Sequence, residues 1–235
     1  MFRHRGRKYL NRRIALAAVS VAFATRGFES NVACGALVGD GQTELPVQAL
    51  LNLPSGDSFL TSTGPQLFTG TTGLGHVVFT GSITSSVYID PAEPDIPGNP
   101  AGLDFVYVIS NDPSSTDEIN QLTVSSFSTF LTGIDYVTGS GTAPTSADRL
   151  GNGRAIDFYF DGPTELPQGG SSDSLLVETN AQNYGPGFGS AIDGGSGTTA
   201  AVVPVSGILM AVPEPASFAV ITLAGGFLLS RRRRK

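Results

Sequence analysis

Residues 103–110 read LDFVYVIS, and the alternation in this stretch decides the fold. Leu103, Phe105, Tyr107 and Ile109 fall on one side of an extended chain, and Val106 and Val108 on the other. That is the period of two which a β-strand imposes on its side chains. Apolar residues on both sides mark a strand covered on both faces, hence a central one.

Similar short runs lie to either side. Leu74–Thr80 and Ser82–Ile89 are expected to form a hairpin turning at Gly81. Toward the C-terminus, Ile119–Phe130 sets Leu122 and Val124 against Phe127 and Phe130 across a bulge. Ile134–Thr138, Arg154–Phe160, Leu175–Thr179 and Thr198–Val205 complete the set. The 30 glycines and 15 prolines among 235 residues disfavour long helices, and no stretch between the two ends keeps a helical period for three turns. About eight strands at irregular spacing predict an all-β fold, an antiparallel two-sheet β-sandwich of Ig-like or jelly-roll-like kind. It spans residues 36–205, with a Gly-rich loop at 183–199 (NYGPGFGSAIDGGSGTT) and a linker at 206–212.

Charge is partitioned sharply along the chain. Six of the fourteen Lys and Arg residues precede residue 14 and five close the chain, so residues 25–212 hold only Arg26, Arg149 and Arg154 against nineteen acids, a net −16 without a single lysine. Such a body repels phosphate backbones, which argues against a nucleic-acid partner. The one cysteine, Cys34, permits no intrachain disulfide, so the fold must be held by burial.

The two ends read as addresses. Met1–Arg13 is basic and Ile14–Ala24 (IALAAVSVAFA) is apolar without a charge, the layout of a signal peptide over residues 1–24, with cleavage as late as residue 33 as the alternative. Eleven helical residues span about 16 Å, half of a bilayer's hydrocarbon core. Arg12-Arg13 raises a twin-arginine reading that the flanking residues do not support, and Asn31, three positions before Cys34, speaks against lipidation there. At the other end stands Pro213-Glu214-Pro215, then the apolar run 216–230 (ASFAVITLAGGFLLS), then Arg231, Arg232, Arg233, Arg234 and Lys235. The prolines hold Glu214 in an extended backbone that an enzyme cleft can receive. The apolar run makes about 22 Å of helix, a marginal span. The terminal cations stay cytoplasmic and set the acidic body outside.

This three-part end resembles the PEP-CTERM sorting signal of Gram-negative bacteria over residues 213–235. The resemblance implies transient insertion in the inner membrane and recognition of Pro213, Glu214 and Pro215 by an exosortase-like processing enzyme. It further implies release to the cell surface or an exopolysaccharide matrix, where exopolysaccharide itself is a candidate partner. The FVYVISN strand and the segment Leu175–Ala181 also look like ectodomains common among such proteins, a likeness that brings no catalytic residues.

Little in the body points to chemistry of its own. After removal of the leader His76 is the single histidine, with no nucleophile elbow to accompany it, and one His with one Cys does not make a zinc site. No enzymatic activity and no cofactor are therefore expected. Calcium is the ion the residues could hold, because hard oxygens cluster in Asp90, Glu93 and Asp95 and again in Asp112, Asp117 and Glu118. The expected role is structural or binding. A carbohydrate-binding module, calcium-dependent or not, is the alternative, and an extracellular glycoside hydrolase working through paired carboxylates the more distant one.

Overall fold

The computed structural model describes residues 37–44, 48–50, 52–53, 56–91 and 101–207. The proposed leader, Cys34, Glu93, Asp95 and the whole of 213–235 lie outside them. Among the described residues, no helix is long and apolar enough to cross a membrane; the helical content is one 3₁₀ turn, Gly162–Thr164.

The all-β expectation holds. The strands are β1 (Thr43–Glu44), β2 (Gln48–Leu50), β3 (Ser58–Ser62), β4 (Gln66–Thr71), β5 (Val77–Asp90), β6 (Gly102–Asn111) and β7 (Gln121–Ser125). There follow β8 (Thr132–Val137), β9 (Ser146–Arg149), β10 (Ala155–Tyr159), β11 (Ser174–Thr179), β12 (Tyr184–Asp193) and β13 (Gly195–Pro204). They join in one curled sheet, a half-barrel of order β1-β9-β10-β7-β12-β13-β4-β5-β6-β11-β8-β2, with β3 paired to β5. Every pairing is antiparallel except β2 with β8, so the sheet is mixed. The ladder is continuous, where two separate sheets were expected. The six strands from β1 to β13 and the six from β4 to β2, the latter with β3 added at β5, meet at a single register pair, Ser196 opposite Thr71.

β6 lies between β5 and β11, the central place its sequence implied. Leu103, Phe105, Tyr107 and Ile109 all enter the main core, while Val106 joins Leu50 and Leu176 in a smaller cluster on the opposite face. Across the core, the buried Tyr107 hydroxyl donates to the carbonyl of Val202 at 2.8 Å, and Phe105 packs edge-on to Phe127, ring centres 6.1 Å apart. Tyr107 and Val202 belong to opposite halves, so the curl brings β6 and β13 into contact through the core. Ser126, at φ 80°, follows the end of β7, and Phe127 is buried beyond it; where a bulged strand running on to Phe130 was expected, the strand stops at Ser125.

Two local expectations are corrected. Gly81 does not turn a hairpin: it lies within the 14-residue β5, and the reversal falls at residues 72–76, where the Thr72 amide donates to the His76 carbonyl. A side chain at Gly81 would strike the Ser110 carbonyl and the Phe68 ring, so this glycine marks close packing rather than a turn. Residues 183–199 are not a loop either. They belong to the hairpin of β12 and β13, paired from Tyr184–Pro204 to Asp193–Gly195. A Cβ at Gly195 or Gly197 would come within 2.8 Å of the β4 backbone. The glycine content lets two main chains touch where the sheet curls.

Arg149 shows how the first described segment is tied in. Only 5% exposed, its guanidinium donates to the carbonyls of Val38, Phe127 and Phe130 at 3.0, 3.0 and 2.7 Å and faces Asp40 at 3.1 Å. Phe130 also borders a cleft with Val205 and Ser206, so the first and last described segments lie near the same part of the body.

Candidate metal centre

Pairing of β3, β5 and β6 brings together three carboxylates that are far apart in sequence. Ser58 lies opposite Ile89 and Phe59 opposite Tyr88; Tyr88 in turn lies opposite Asp104, and Asp90 opposite Gly102. Continuing that register places Asp57 beside Asp90, so Asp57, Asp90 and Asp104 share the sheet face turned away from the main core. Gly56, at φ +113°, shapes the approach to Asp57: a Cβ there would sit 3.3 Å from the Pro91 ring, in a conformation L residues avoid.

Asp90 and Asp104 are 1% and 0% exposed, and Asp57 is half-buried. One oxygen from each can be chosen so that all three lie within 4.8 Å of one another. Burial, with the nearby charge of Asp90 as a smaller contribution, pushes the Asp57 carboxyl up from 3.8 to about 6, while a side-chain hydrogen bond with Asp104 pulls the other way. Two oxygens on one ion lie no farther apart than twice the metal–oxygen distance, about 5 Å for calcium. The donor set is all oxygen and anionic, which suits a hard divalent cation and not zinc or copper.

The expected calcium residues are thus redistributed. Asp90 joins Asp57 and Asp104, neither of which the sequence singled out, because they lie 33 positions before and 14 after it. Asp112 does not meet Asp117 and Glu118: it is exposed, and its Oδ1 accepts from the Ser114 amide and hydroxyl at 2.8 and 2.6 Å, which lowers its pKa. Asn111 turns inward and donates to the carbonyls of Asp117 and Leu166. Asp117 and Glu118 instead stand near Glu165 and Asp193. A hydrogen bond with Glu118 leads the upward shift of Glu165, reinforced by the surrounding carboxylates. Burial, then Asp117 and Glu118, raises Asp193. These four make an acidic tip where the β12–β13 hairpin turns.

A third acidic group was not foreseen. Asp148 and Asp157 lie opposite each other on β9 and β10, and the Tyr159 hydroxyl donates to an oxygen of each, at 3.3 and 3.5 Å. Burial and the two carboxylates push Tyr159 up to about 12. His76 is exposed in the turn before β5, its amide donating to Thr72 Oγ1 at 3.2 Å, rather than within a strand.

Fold and site together define an acidic all-β protein with a three-aspartate cluster. No protein-family model matches the chain, and comparison with curated proteins and with solved structures returns no match.

Proposed function

We propose that this chain is an exported surface or matrix protein of the PEP-CTERM kind. Its body is delivered outside the inner membrane and held there by residues 216–230. An exosortase-like enzyme recognises Pro213-Glu214-Pro215 and passes the product to the cell surface or exopolysaccharide as a structural or binding component. The observation that carries this reading is the order of the three features in the sequence of 213–235: Pro-Glu-Pro, an apolar run too short to be a comfortable span, and five terminal cations. Changing Pro213-Glu214-Pro215 to three alanines leaves the precursor unprocessed in the membrane, read as intact mass by mass spectrometry. Normal release of that variant overturns the proposal.

A second reading, favoured by the convergence of Asp57, Asp90 and Asp104, is a calcium-dependent carbohydrate-binding module. These residues would hold the ion, which supplies positive charge and open coordination positions for sugar hydroxyls. Calorimetric titration with calcium gives one saturable event that Asp57→Asn weakens by at least tenfold, about 1.4 kcal/mol. Heat of dilution alone in the wild-type protein rejects this reading. Turnover of exopolysaccharide abolished by one carboxylate change would replace both readings with a hydrolase.

A further inference from the structure

Asp148 on β9 and Asp157 on β10 lie directly opposite each other. Their chain neighbours Ala147, Ile156 and Phe158 enter the main core, so the alternation of a strand turns both carboxylates to the other face of the sheet. Thr43 of β1 stands opposite Asp148, and Thr123 of β7 opposite Asp157. The row of four crosses the neighbouring strands β1, β9, β10 and β7, with a side-chain oxygen at every position. It belongs to the six strands from β1 to β13, whereas Asp57, Asp90 and Asp104 stand on or beside β3, β5 and β6 in the other set.

Like charges directly opposite each other on a ladder repel, and solvent does not relieve this pair. Asp157 is 5% exposed, and Oδ1 of Asp157 and Oδ1 of Asp148 are both enclosed without a hydrogen-bond partner. The partner the two residues share is the Tyr159 hydroxyl, 3.3 Å from Asp148 Oδ2 and 3.5 Å from Asp157 Oδ2. A hydroxyl has one proton to give, and an O–H···O bond is at full strength at about 2.5–3.0 Å, so Tyr159 offsets little of the charge. Among the described residues the one side-chain ion pair is Arg149 with Asp40, and no arginine answers either aspartate. Carboxylate oxygens enclosed in this way are stable when they are paired or coordinate a metal.

We propose that Asp148 and Asp157 bind one hard divalent cation, calcium or magnesium, through their enclosed oxygens. The donors select the class: carboxylates flanked by threonine hydroxyls are hard oxygens, and the row has no imidazole or thiol to favour zinc or copper. Spacing agrees, because Cβ atoms directly opposite on adjacent strands lie about 4.5–5.5 Å apart and oxygens in one calcium shell lie within about 5 Å of each other. A proton shared by the two acids is the rival occupant. It calls for a carboxyl–carboxyl hydrogen bond, whereas these side chains meet through Tyr159. With two carboxylates where the Asp57 cluster has three, this site fills at the higher ion concentration. The ion pins β9 to β10, beside the Arg149 contacts that hold the first described segment.

The test uses the full chain in mild detergent, stripped by a chelator, with terbium(III) as a calcium-like probe that emits when an adjacent aromatic ring is excited. The sequence has no Trp, so strong emission reports ions beside tyrosine. Asp57→Asn serves as the background, which keeps the outcome separate from that of the β3–β5–β6 cluster. In it, terbium gives a saturable emission that calcium and magnesium displace, the native ion at the lower concentration. Adding Tyr159→Phe removes most of the emission and leaves calcium binding in place by calorimetry. Adding Asp157→Asn instead, which keeps the side chain's shape and relieves the opposed charge, weakens calcium or magnesium binding by about tenfold or more. Absence of saturable emission in the Asp57→Asn background, emission unchanged by Tyr159→Phe, or cation affinity unchanged by Asp157→Asn overturns the proposal.

Discussion

Asp57 is a half-buried residue at which burial and charge are at odds. Its carboxyl is held near 6 in the folded chain against an ordinary 3.8, so over that interval the native state holds a proton that the unfolded state has lost. Stability linked to this group therefore falls as pH rises from about 4 to 6 and levels off above. In the presence of a chelator, urea midpoints decline across this window, and Asp57→Asn flattens the decline and raises the midpoint at neutral pH. A wild-type midpoint that climbs through the same window contradicts the assignment. A bound divalent cation acts in the opposite sense, since it favours the ionised carboxylate.

At the scale of elements, the glycines of β13 decide more than their number suggests. Gly197→Val sets a branched side chain against the backbone of Thr69 and Gly70, which cannot give way without opening the seam between β4 and β13. It is expected to cost about 3 kcal/mol or more, while Gly73→Ala, with open space around it, changes stability by about 0.5 kcal/mol or less; chemical denaturation of the two variants measures the contrast. The same glycines explain what could be read in advance. β6, β8, β10 and β11 were legible because alternating apolar residues have one physical use. β12 and the start of β13 were not, because a glycine required for close approach looks in sequence like one required for a turn. β3, β4 and β9 are built mainly of Ser, Thr, Gly and Asp between few apolar residues, and their strand character comes from pairing partners. The site was half legible for a related reason: Asp90 stood out within a local cluster of acids, but Asp57 and Asp104 join it only through the register of three strands.

For the molecule as a whole, the partition of charge is the organising fact: cations at the two ends of the sequence, anions through the body, and an uncharged stretch from Ser58 to Ile89. The acids are not spread evenly. Asp117, Glu118, Glu165 and Asp193 gather where the β12–β13 hairpin turns, and that hairpin returns along β13 to Pro204, beside the cleft that Val205 and Ser206 line. Nine residue steps of extended strand place the turn about 30 Å from that end of β13. The hairpin therefore acts as a strut. It separates its negative tip from Pro204 by several screening lengths of roughly 8 Å each, so a cation gathered at the one end goes unfelt at the other.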